Sequence, residues 1–137
     1  MRYLSVAIFL LLIQFFSPGC KKSDTSVNGN GQVIVQGKIT LKIQAKHHWW
    51  GVPYLPVYLK KGVDAWPGPD SSLYDLHLTA DNNGFCSFEH LLPGNYYVYA
   101  HGYDAVFGAV VTGYTPVVLN ATTAPGNYKE VILNVSE

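Results

Sequence analysis

The stretch DNNGFCSFEHLLPGNYYVYA, residues 81–100, decides the fold. Asp81-Asn82-Asn83-Gly84 is a turn signal, because Gly84 suits the positive φ that a tight turn demands. Phe88 follows on a strand, and Leu91-Leu92-Pro93-Gly94 makes a corner. Tyr96, Val98 and Ala100 then alternate with Tyr97, Tyr99 and His101. Apolar residues at period two mark strands with one buried face. Phe88 and Leu91 are expected to point inward, and the Pro93-Gly94 corner returns the chain so that Tyr96 re-enters the core.

The same period continues on both sides. Leu76, Leu78 and Ala80 alternate with Asp75, His77 and Thr79. Leu55, Val57 and Leu59 alternate with Tyr58 and Lys60. Further upstream Val33, Val35, Ile39, Leu41 and Ile43 share one parity, with Lys38, Thr40, Lys42 and Gln44 on the other. Downstream, two strands are expected over residues 109–119 and 128–135, separated by NATTAPGN. From Gln32 on, no stretch sustains a 3.6-residue period, and the domain has no internal repeat. About seven short strands between turn signals predict an all-β fold, a single antiparallel Greek-key β-sandwich.

The chain has 137 residues, 48% of them apolar and 14% aromatic, which suits one domain with a core and some accessory sequence. Its formal charge is zero, so nothing pulls it toward nucleic acid. Arg2 is the only arginine, so a mature protein lacking its first segment would have no bidentate clamp for phosphate or carboxylate.

That first segment is MRYLSVAIFLLLIQFFSPGC. One cation precedes an apolar run of about 13 residues, and small residues follow, as in a secretory signal peptide. The run is short of the roughly 20 residues a spanning helix needs. The cleavage region resembles a bacterial lipobox ending at Cys20. Gly19 fits that motif, while Ser17 and Pro18 depart from its commonest form. The resemblance implies lipid attachment at Cys20, and two or three acyl chains hold a protein stably on a membrane. The expected organisation is a signal peptide over 1–19, a lipidated cysteine and flexible tether over 20–31, and the sandwich over 32–137. An outer-membrane lipoprotein, periplasmic or surface-exposed, is the expected location. With Cys20 acylated, Cys86 has no partner, and no disulfide framework is expected.

Residues 81–100 also fit the pattern D-x-x-G-x-aromatic-x-F-x-x-L-x-P-G-x-Y-x-V, preceded by VQGKI and VPYLPVYLK. The chain from Gln32 onward thereby resembles the carboxypeptidase regulatory-like domain, a transthyretin-like (prealbumin-like) sandwich. Cys86 departs from the pattern, standing where the family usually has an aromatic. The family is a scaffold, found in accessory and binding modules, and fold does not confer function. Hydroxyisourate hydrolases on related sandwiches use an arginine and a Tyr-Arg-Gly-Ser tail. This chain ends in NVSE and its domain lacks arginine, so that activity is not expected.

Candidate sites cluster in ring-rich segments. HHWWG, residues 47–51, is expected as a loop at a strand end. Neighbouring residues on a strand face opposite ways, so His47 and His48 cannot share an ion from a regular strand. Trp49, Trp50, Tyr54 and Trp66 lie in segments flanked by Gly and Pro. Their rings either fold over the open end of the sandwich and close its core, which is the favoured expectation, or form a partner-contact surface. His48, His77 and His101 are weak metal candidates, and Asp75 with His77 shares one strand face. No nucleophile constellation stands out, and no cofactor is expected. The expected function is a non-catalytic, membrane-anchored binding or accessory module of the cell envelope. It would contact a protein or glycan through the Trp-rich loops. The alternative is a small-ligand or metal-binding lipoprotein that uses the surface histidines.

Overall fold

Ile39, Leu41, Ile43 and Ala45 are fully buried, while Thr40, Lys42, Gln44 and Lys46 between them are not. This alternation folds as the strand Ile39–His47 in a computed structural model that describes residues 25–27, 33–35, 38–120 and 127–137. The expected signal peptide, the expected lipidation of Cys20 and the rest of the expected tether lie outside the described residues. Among the described residues no helix is long and apolar enough to cross a membrane.

Among the described residues the strands are, in chain order, β1 (Thr25–Val27), β2 (Val33–Val35), β3 (Ile39–His47), β4 (Trp50–Gly51), β5 (Pro56–Lys61), β6 (Leu76–Thr79), β7 (Phe85–Leu91), β8 (Gly94–Asp104), β9 (Ala109–Leu119) and β10 (Tyr128–Val135). Thr25–Val27 pairs antiparallel with β2. The seven longer strands build the sandwich. One sheet has β3 at its centre, flanked by β10 on one side and by β7 and the short β4 on the other. The second sheet runs β6-β5-β8-β9. The chain crosses between the sheets from β3 to β5, from β6 to β7, from β7 to β8 and from β9 to β10, which gives a Greek-key β-sandwich. One pairing departs from the antiparallel expectation: β10 runs parallel to β3, Tyr128 opposite Thr40 through Val135 opposite His47.

The core lies between the sheets. Leu41, Ile43, Phe88, Leu91 and Leu133 from the first sheet meet Val57, Leu59, Val98, Val111 and Leu119 from the second. Phe88, Leu91 and Tyr96 are inward as expected, and the Tyr96 hydroxyl donates to the Leu92 carbonyl at 2.7 Å, pinning the corner. Cys86 is a buried free thiol, and burial, with a smaller push from the Asp81 carboxylate, raises its pKa to about 12. Leu78 corrects the expected alternation. It is exposed, because β6 is an edge strand and only Leu76 and Ala80 reach inward. Glu89 and His90 lie within β7 at a bulge, with His90 at φ 59°.

Candidate binding surface

HHWWG is not one loop. His47 is the last residue of β3, and its inward parity buries it beside the core. Its Nδ1 lies 3.0 Å from Asp104 Oδ2, and Asp104 is equally buried at the end of β8. The other ring nitrogen faces Glu137 at 3.9 Å. Asp104 also accepts from the Val106 amide at 2.9 Å, so it ties the β3 end to the β8–β9 turn. The expectation of solvent-facing histidines therefore fails at His47. The alternation running from Ile39 through Ala45 was the signal, continued by one more step.

His48 and Trp49 form the two-residue turn of a hairpin, since His47 pairs with Trp50. His48 takes φ 55°, a left-handed conformation that costs a non-glycine residue roughly 1 kcal/mol. Stacking on His47 at 4.4 Å and an edge contact to Phe107 at 5.3 Å hold its ring. Behind the hairpin the DNNG turn packs against backbone. A Cβ on Gly51 would collide with the Asn83 carbonyl, and one on Gly84, at φ 81°, would fall 2.6 Å from the Ala45 oxygen. Asp81 Oδ1 accepts from the amides of Asn83 and Phe85 at 2.8 and 2.9 Å, which fixes the turn.

This packing presents Trp49 and Trp50 to solvent, 74% and 60% exposed. Core closure by these rings is thereby overturned: at this strand end it is His47 that is buried. Trp49, Trp50 and Phe85 line an open cleft of about 480 Å³ with Lys46, Asn82 and Asn83. Tyr54, also exposed, is not among the residues that line it; its amide donates to the Asp81 carbonyl at 3.2 Å.

Trp66 belongs to a different surface. The β5–β6 connection folds back across the second sheet, and the Trp66 ring stacks on Tyr114 of β9 at 4.6 Å and 9°. Tyr74 stacks on Tyr99 at 5.3 Å. Tyr97 and Tyr99 have outward parity yet are buried: Trp66 and Tyr74 lie against Tyr99, and Tyr114 lies against Tyr97. Burial raises the pKa values of Tyr74 and Tyr99.

The weak metal candidates stay apart. His48 sits on the hairpin turn. His77 lies on β6 opposite Tyr58, and His101 on β8 contacts Thr112 Oγ1 at 2.9 Å. Asp75 does not face His77 as a ligand pair. It accepts from the Lys61 amide at 2.8 Å and from Lys60 Nζ at 3.0 Å, the amide being the larger cause of its lowered pKa. Among the described residues no three His, Cys, Asp or Glu side chains converge as a metal site.

No family profile matches the chain. No curated protein matches it either. Among solved structures it is similar to the major pilin subunit of Bacillus cereus, with a TM-score of 0.51 at 9% identity over 82% of this chain. The chain spans 36% of that pilin's length. It also matches a Pseudomonas aeruginosa protein described as a candidate carbohydrate-binding protein, with a TM-score of 0.45 at 16% identity, over 72% of this chain and 88% of that one. At these identities the likeness to the pilin is one of fold, and it agrees with the β-sandwich.

Proposed function

We propose that this chain is a lipid-anchored envelope protein whose sandwich binds a glycan, without catalysis, through the Trp49–Trp50 cleft. One observation carries the reading: two adjacent, largely exposed indoles line one cleft with the Asn82–Asn83 amides. Indole faces stack on the apolar faces of sugar rings, and side-chain amides both donate to and accept from hydroxyls. Rings and amides hold a ligand without breaking bonds in it. The buried His47–Asp104 pair turns its free ring nitrogen toward a carboxylate, not toward a hydroxyl or thiol nucleophile. Membership of the carboxypeptidase regulatory-like family is supported by the run over residues 81–100, and anchoring by the apolar leader ending at Cys20. Placement at the outer membrane rests on that leader and on the polar run after Cys20.

The test compares wild-type protein with the Trp49→Ala/Trp50→Ala variant on a glycan array, with thermal melts of both. Wild type should bind a defined set of glycans. The double variant should lose that binding by at least about tenfold, the size of one lost stacking contact, while melting at an unchanged temperature. A folded wild type that ignores every glycan overturns the reading. Expressed in a bacterium, the wild-type protein should incorporate labelled palmitate and the Cys20→Ser variant should not. Wild type that takes up no label would refute the anchor.

A further inference from the structure

The cleft beside the tryptophans does not end at Phe85. A second depression of about 400 Å³ begins there, shares Phe85 and Gln44 with the first, and runs along the outer face of the same sheet to Lys42, Glu130 and Ile132. The register explains the continuity. Gln44 stands opposite Phe85 on one side and Ile132 on the other, so ring, amide and aliphatic chain cross the sheet in one row. The next outward row carries Ser87, Lys42 and Glu130. Strands rise about 3.4 Å per residue, so the span from Lys46 to Lys42 alone covers about 14 Å.

We infer that this face is a second subsite, and that the ligand is an uncharged oligosaccharide chain running from the Trp49–Trp50 hairpin past Phe85 to Ile132. The inference rests on the glycan reading and extends it to chain length. Phe85 is 47% and Ile132 58% exposed, and the two flank Gln44 in one row, an arrangement that suits the apolar faces of successive rings. The polar groups beside them are amide, hydroxyl and a matched ion pair. Lys42 Nζ lies 3.5 Å from Glu130 and 3.9 Å from the centre of the Tyr128 ring, so the far end presents no unbalanced charge. Gln44 joins the two halves, since its Nε2 reaches the Asn83 carbonyl at 3.5 Å. A polyanion finds no counter-charge along this groove beyond Lys46, and a hydroxyl-rich neutral chain finds partners throughout.

The experiment measures affinity for oligomers of glucose, N-acetylglucosamine and mannose, in α and β linkage, each as monomer, dimer and longer chain. Wild type should bind the longer chain of its preferred sugar on the order of tenfold more tightly than the dimer, the size of one further stacking contact. The Ile132→Ser variant should keep dimer binding and lose that gain. Its side chain is exposed, so the variant should fold, and Tyr128→Ser gives an independent reading at the far end. If wild type binds monomer, dimer and longer chain alike, the second subsite is refuted while the tryptophan cleft stands. If no saccharide binds, both fall together.

Discussion

At the scale of single residues, the contact between His47 and Asp104 matters most to the end of the sandwich. Both side chains are buried, and each depends on the other to satisfy a polar atom that water cannot reach. Removing one partner leaves the other desolvated and unpaired, which costs about 2–3 kcal/mol. Asp104→Ala also deletes the acceptor for the Val106 amide, so the loss should reach the upper end of that range. Urea unfolding should show the midpoint falling with an unchanged slope. A midpoint equal to wild type would mean the pair contributes nothing. Half of this feature was legible in the sequence. The parity of β3 puts His47 inward, but its likeness to His48 next door disguised that. Asp104 lies 57 residues away, and no local pattern announces a partner at that distance. Tyr97 and Tyr99 teach the converse: their outward parity was readable, whereas burial by rings from another segment was not.

At the scale of elements, β9 and β10 fall where turn signals and alternation put them, at residues 109–119 and 128–135. The β3–β4 hairpin was hidden because its turn lacks the glycine or asparagine that usually marks one; a histidine holds the left-handed position instead. What fixes the hairpin is Gly51, a residue with nothing to pack. Its Cα lies so close to the Asn83 carbonyl that an added methyl cannot be accommodated without moving one backbone or the other. Gly51→Ala should therefore cost about 2–3 kcal/mol, as overpacking does when only backbone can yield. It should also weaken ligand binding, by separating the tryptophans from Asn82 and Asn83. Gly62→Ala is the control. Gly62 has φ 71° and open space around it, so only conformational strain opposes the methyl, at about 1 kcal/mol. Equal losses at the two sites would show that the close approach does not determine the cost. Gly113 makes a similar approach where the sheets meet, with a Cβ 2.5 Å from the Asn134 oxygen, and links β9 to β10 in the same way.

At the scale of the whole molecule, the sandwich has an unequal pair of outer faces. One carries the groove. The other carries a layer of rings, with Trp66 and Tyr74 laid over Tyr99. The two-sheet core was legible because alternation reports burial on the inner faces. The ring layer was not, since it depends on which strands become neighbours: only the order β6-β5-β8-β9 brings the β5–β6 connection above β8 and over to Tyr114. Burial in and beneath this layer disfavours the phenolates, so Tyr74 and Tyr99 have raised pKa values, and burial raises Tyr96 at the corner as well. A pKa raised on folding means that the native state holds its protons longer than the unfolded chain. The stability this contributes is complete below the unfolded value of about 10 and declines as pH climbs from there through the folded values. Ultraviolet titration should show Tyr74, Tyr96 and Tyr99 as a late class that ionises as the protein unfolds. Trp66→Ala uncovers Tyr99 and should move part of the late class down toward the ordinary value, while the circular dichroism of the core at neutral pH stays the same. Were all tyrosines in wild type to titrate together, with stability flat across that range, the ring layer would not seal the sheet.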